Sequence, residues 1–218
     1  MGGRGVHSLS GLNSERRNRK QQDKEVSEDL RGAIGSLGKP ATVEEAMVRA
    51  NEDIKTGNEA FLDNCYNVVV AYELQRRGYD VKAKGVNNSL NLGETIYPYG
   101  KNNGYMTSRW AGAFKNGKFE HVGSDNKETT ANNLVKKIKS YGNGSRGAIQ
   151  FDVVGREKGH VLNFENRGGK VSIVDAQENV KYNVKDIMKV AVTKTVNVIR
   201  MDNLRISDKA KNSVRKRK

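Results

Sequence analysis

The sequence predicts an α+β fold, with helices first and a mostly antiparallel sheet after them. Two helix signals and one hairpin signal carry that prediction. Thr42-Val43-Glu44-Glu45 is a capping box that opens a helix running to about Asn51. Asp63 and Asn64 are good N-cap residues, and Gly78 is a good terminator for a second helix with Arg76 and Arg77 in its last turn, where cations complement the macrodipole. Further on, His160–Glu165 and Lys170–Asp175 are two β-like runs separated by a short turn ending in Gly168-Gly169, which reads as an antiparallel hairpin.

The remaining elements fall between these. Residues 1–40 are polar and charged around Arg16-Arg17-Asn18-Arg19-Lys20, with a thin-faced helical stretch from Asp23 to Ile34; they read as an extension of disordered type. Tyr79–Ala83 reads as a strand. The glycine- and asparagine-rich stretch after it carries Trp110 and Phe114, readable either as walls of a substrate cleft or as core. Ser124 or Asp125 caps a helix to about Ser140, with Leu134, Val135, Ile138 and Tyr141 as its buried stripe. Ala148–Val154 alternates as a strand, Asn183 caps a short helix, and Ala191–Arg200 is β-rich and closes the sheet. The expected organisation is an extension (1–40), one domain (41–206) and a basic tail (207–218).

The chain of 218 residues has a formal charge of +14 and one cysteine. A single cysteine excludes an internal disulfide framework and fits synthesis in a reducing, cytoplasmic compartment. No apolar run approaches the ~18 residues of a membrane span, and no signal peptide is evident, so release needs a dedicated route or a virion. After Asp208 there is no carboxylate, and Arg215, Lys216, Arg217 and Lys218 form a basic end suited to nucleic-acid backbones or to plain solubility.

Cys65 falls in the first turn of the second helix, where the positive end of the dipole favours a thiolate. On its own, a lone cysteine reads first as a small core hydrophobe. A nucleophile needs a base, and there are three histidines. His7 lies in a polar terminus and His121 near a turn, whereas His160 opens the hairpin. If Arg167 and Gly168 form the turn, His160 lies directly opposite Asp175; if Gly168 and Gly169 form it, the two are diagonal neighbours. Either register keeps them on one face, shared with Leu162, Phe164, Val171 and Ile173. A three-residue loop would separate them. A base with an orienting carboxylate and an ordinary cross-strand polar pair fit this spacing equally well.

Asn64-Cys65, Val69–Val81, Gly159–Glu165 and Val174-Asp175-Ala176-Gln177, in that order, resemble the papain-fold toxin domain family. Its members are predicted protein-glutamine deamidases or cysteine peptidases, found in bacterial polymorphic toxins and in phage minor head proteins. Ala46–Asn51 and Ile199–Leu204 extend the resemblance to roughly residues 42–206. Val68 stands where members often have a second cysteine, which excludes a Cys-x-x-Cys reading, and Ala176 stands where many have proline.

The resemblance implies a papain-like fold. It assigns Cys65 as nucleophile, His160 as base and Asp175 as its orienter, with Gln177 and Asn64 in support and no metal or cofactor. It implies a protein substrate, most simply a glutamine that is deamidated through a thioester, and delivery into a target cell. The alternative is a basic, DNA-proximal virion protein among phage head proteins, with the papain-like domain inactive or secondary.

Overall fold

The computed structural model describes residues 9–86, 109–156 and 158–217. Helices α1 (Leu9–Lys24), α2 (Glu28–Ile34), α3 (Val43–Ala50) and α4 (Cys65–Arg77) come first. Strands β1 (Val81–Ala83) and β2 (Glu120–His121) precede α5 (Lys127–Ser140). Then follow β3 (Arg146–Asp152), β4 (Gly159–Arg167), β5 (Lys170–Asp175), β6 (Val180–Tyr182), α6 (Val184–Val190), β7 (Asn197–Arg200) and β8 (Val214–Lys216). The class is α+β, as the sequence predicts.

The main sheet has the order β2-β7-β3-β4-β5-β6, and every pairing is antiparallel. The β-rich stretch expected to close the sheet instead places β7 inside it, between β2 and β3. Gly168 and Gly169 form the hairpin turn with φ of 59° and 81°, a left-handed pair that glycine adopts without a Cβ penalty. Arg167 therefore pairs with Lys170 and Asn163 with Val174. That is the second of the two expected registers.

Alternation divides the sheet into two apolar faces. Leu162, Phe164 and Ile173 pack with Leu134 and Ile138 of α5 and with Ile187 and Met188 of α6. Val161, Ala148, Val174 and Ile199 face the helices of the N-terminal half, where α4 is the central element. Val70, Ala71, Tyr72 and Leu74 of α4 are completely buried. Each large apolar side chain so buried contributes about 1.5–3 kcal/mol.

The C-terminal end of α4 is heavily bonded. Gly78 takes φ 111°, and a Cβ there would lie 2.6 Å from the Gly38 carbonyl oxygen. The Gly78 N–H donates to Gln75 and that of Tyr79 to Leu74, which completes a Schellman cap. Arg76 and Arg77 do more than complement the dipole. Arg76 pairs with Glu165 at 2.6 Å and Arg77 with Glu73 at 2.8 Å, and Arg146 of β3 joins Glu73 at 2.9 Å. The sequence leaves this buried network unread, because its members lie on three separate elements.

Among the described residues, segments on both sides of 41–206 also contribute to the core. Leu30 and Ile34 of α2 are fully buried, as are Ala210 and Val214 near the C-terminus. The basic end is not a free tail: β8 pairs with β1, and Val214 lies opposite Ala83. Arg215 pairs with Asp53, and Arg217 with Glu52 and Asp80. The Lys216 stem passes beside Gly35. These charges were read as open to nucleic acid; three of the four residues are used within the fold, and Lys218 lies outside the described residues.

Smaller differences also have local causes. The α5 cap is Asn126, whose side chain accepts from the Thr129 N–H. Trp110 and Phe114 are core: Trp110 meets Phe119 edge-on, and Arg77 lies over the Phe114 ring. The rest of the loop read as cleft walls, 87–108, lies outside the described residues, as does His7. Among the described residues, no helix is long and apolar enough to cross a membrane.

Candidate active site

Cys65 opens α4, as expected, but the helix start is built differently. Asn64 occupies the cap position without a side-chain cap bond. Its Nδ2 donates instead to Asn51 Oδ1 at 2.9 Å and to the Lys84 carbonyl at 3.1 Å. Asn67 Nδ2 donates to the same carbonyl at 2.9 Å. Two amides thus fasten the helix start to the end of β1, and the first N–H groups of α4 are left without a side-chain cap.

His160 and Asp175 meet as the hairpin predicts. His160 Nε2 lies 3.0 Å from Asp175 Oδ2. The other carboxylate oxygen accepts the N–H groups of Gln177 at 2.9 Å and Glu178 at 3.1 Å. With Asp175 only 3% exposed, this carboxylate is held in one orientation. The third member is Cys65, close enough for its side chain to act on the His160 imidazole. Since Nε2 is taken by Asp175, Nδ1 is the ring nitrogen left for the thiol.

How Cys65 and His160 meet is not obvious from alternation. By parity His160 belongs to the α5/α6 face, and its ring does stand edge-on to Phe151 of that core. Cys65 belongs to the opposite core. The β4–β5 ladder, however, ends at Asn163–Val174, before it reaches His160. Beyond it His160 stays paired with Phe151 of β3 and bonds to Asp175, and Cys65 at the start of α4 acts on its imidazole.

Electrostatics favour a charged imidazole. Burial opposes the charge on His160, but hydrogen bonds and charge interactions with Asp175 and Cys65 outweigh it and push its pKa up to about 10. Tyr66 lies next to the nucleophile, and burial, then the charges of Cys65 and Asp63, push its hydroxyl up to about 12. Among the described residues, no three His, Cys, Asp or Glu side chains gather as a metal site.

Two further links surround the site. Gln177 Nε2 donates to the Leu62 carbonyl, so the acid-bearing turn is tied to the segment before Cys65. Lys158 pairs with Asp63 at 2.6 Å. Sequence reasoning treated Asp63 only as a cap and passed over Lys158. The signal was their position, each two residues before a candidate catalytic residue.

A family model described as papain fold toxin 1, glutamine deamidase, matches residues 63–179. The chain belongs to this family. No curated protein gives a significant match. The matched span of the papain-fold toxin domain begins at Asp63, contains Cys65, His160 and Asp175, and ends just beyond Gln177. Membership supports a cysteine-based enzyme. The core of this papain-fold domain extends beyond the match on both sides, through α2, α3, β7 and β8.

Proposed function

We propose that the protein is a cysteine hydrolase that deamidates glutamine in a target protein, with Cys65 as nucleophile, His160 as proton carrier and Asp175 as its orienter. The observation that carries this reading is the position of His160, bonded to the buried Asp175 at 3.0 Å and within reach of the Cys65 side chain at the start of α4. In the reaction the Cys65 sulfur attacks the carboxamide carbon. The carbonyl electrons move to oxygen, and the uncapped N–H groups at the start of α4 hold that oxyanion. Protonated His160 gives its proton to the nitrogen, and ammonia leaves as the thioester forms. Neutral His160 then takes a proton from water, the hydroxide attacks the thioester, and the product is glutamate with Cys65 free again. Asp175 holds the Nε2–H throughout and does not exchange its own proton.

Gln177 supports this set by bonding to both the Asp175 turn and the Leu62 carbonyl, and Asn64 supports it by seating the helix start. Family membership favours action after delivery into a target cell. The virion alternative rested partly on a free basic tail, and that segment is a strand of the fold. Mass spectrometry of exposed target proteins tests the reading. A gain of about one dalton at a glutamine, with ammonia release, is the expected product of amide-to-acid exchange. Backbone cleavage would reassign the domain as a peptidase.

A further inference from the structure

The Asp63–Lys158 ion pair joins the two segments that lead into Cys65 and His160. Asp63 lies two residues before Cys65 and Lys158 two before His160, and the Nζ–Oδ2 distance is 2.6 Å. Cys65 and Asp175 are only 6% and 3% exposed, yet Lys158 is 75% and Asp63 60% exposed at the side chain. An ion pair so open to water adds little stability, and either partner exchanges readily for another ion of the same sign. The segment before Cys65 is also tied to the Asp175 turn through Gln177 and the Leu62 carbonyl, so the ion pair is not its sole link to the site.

The charge balance indicates which partner a substrate replaces. With a formal charge of +14, the chain draws acidic surfaces towards it. Arg156 is exposed two residues before Lys158; with Glu157 between them the stretch keeps one net positive charge. On the other side of the pair, Leu62 is 55% exposed and offers apolar contact beside the ion pair.

We propose that Asp63–Lys158 is a latch exchanged by the substrate: a carboxylate of the target protein, close to its reacting glutamine, displaces Asp63 and pairs with Lys158. This rests on the deamidase reading of the site. The exchange trades one ion pair for another, and it selects glutamines with an acidic neighbour.

Short labelled peptides with one glutamine flanked by glutamate, alanine or lysine test the latch. Affinities are measured on the full chain carrying Cys65→Ala, so that no turnover occurs. With Asp63 in place the glutamate peptide should bind modestly tighter than the alanine peptide, because one ion pair replaces another. In Asp63→Asn, where no pair with Asp63 need be given up, the preference should grow to about fivefold, the scale of one exposed ion pair. Lys158→Glu should reverse the preference in favour of the lysine peptide, and Lys158→Ala should abolish it. An unchanged preference for glutamate in both Lys158 variants would overturn the latch, since the general basic surface would then explain it. Absence of binding by all three peptides would overturn it too. Ammonia release with Cys65 intact separates the two ideas. Release without any charge preference sinks the latch alone, whereas a Lys158-dependent preference without release upholds the latch and sinks the deamidase.

Discussion

The two ends of α4 are built to opposite rules. At the C-terminal end, Glu73, Arg76 and Arg77 are paired with Arg146 and Glu165, and Gly78 closes the helix. At the N-terminal end no side chain caps the helix, and among the described residues Asn64 Oδ1, Tyr66 Oη and Asn67 Oδ1 are buried without a hydrogen-bond partner. An unsatisfied buried polar atom costs about 1–3 kcal/mol; among the described residues the C-terminal end has one such atom, Gln75 Oε1, so the reactive end carries more of this cost. The difference teaches that one helix can anchor a fold at one end and hold polar groups ready at the other.

Variants at the reactive end should have the largest effect on chemistry. Cys65→Ala and His160→Ala should each lower ammonia release roughly a thousandfold or more with the thermal melt little changed. Asp175→Ala should cost one to two orders of magnitude less, because it orients His160 without reacting. If Cys65→Ala retained full activity, the contrast would lose its catalytic half.

The anchoring end should dominate stability. Glu73→Ala leaves Arg77 and Arg146 buried without their shared carboxylate, and denaturant unfolding should show a loss of about 3–5 kcal/mol. Arg77 and Arg146 hold the Glu73 pKa below its ordinary value despite burial. The stability from Glu73 is therefore present above the ordinary glutamate pKa and fades as pH falls through the lowered folded value. A loss under 1 kcal/mol would show that the network is dispensable.

Truncation after Ser207 should cost on the order of 2–4 kcal/mol, since it removes the buried Ala210 and Val214 and the strand paired with β1. A truncated chain as stable as the whole would return this segment to the status of a tail. A further expected effect is a pH dependence. The folded pKa of His160, about 10, lies above its ordinary 6.5. Its contribution is fully present below about pH 6.5 and is lost as pH rises through about 10. Unfolding measured across that range should show the decline, and Asp175→Asn should flatten it.

Much of the site was legible in the sequence because it rests on local rules. The Gly168-Gly169 turn and the period of two bring His160 near Asp175 whichever two-residue turn forms. The Thr42 and Asn183 capping boxes and the Gly78 terminator likewise act over a few residues. The segments flanking 41–206 are less legible because their signals are weak alone. α2 has only seven residues and β8 three, too few for a period to show. Their burial depends on partners far away in the chain.

The sequence by itself determined the fold class, the helix start at Cys65 and the pairing of His160 with Asp175, since each follows from spacing along a few neighbouring residues. Only the tertiary structure decided that Cys65 comes within interaction range of His160, and that Asn64 leaves the helix without a side-chain cap. It alone decided that Arg77 shares Glu73 with Arg146, and that the basic C-terminal segment closes the fold. These are contacts between residues far apart in the chain, and local propensity carries no information about them.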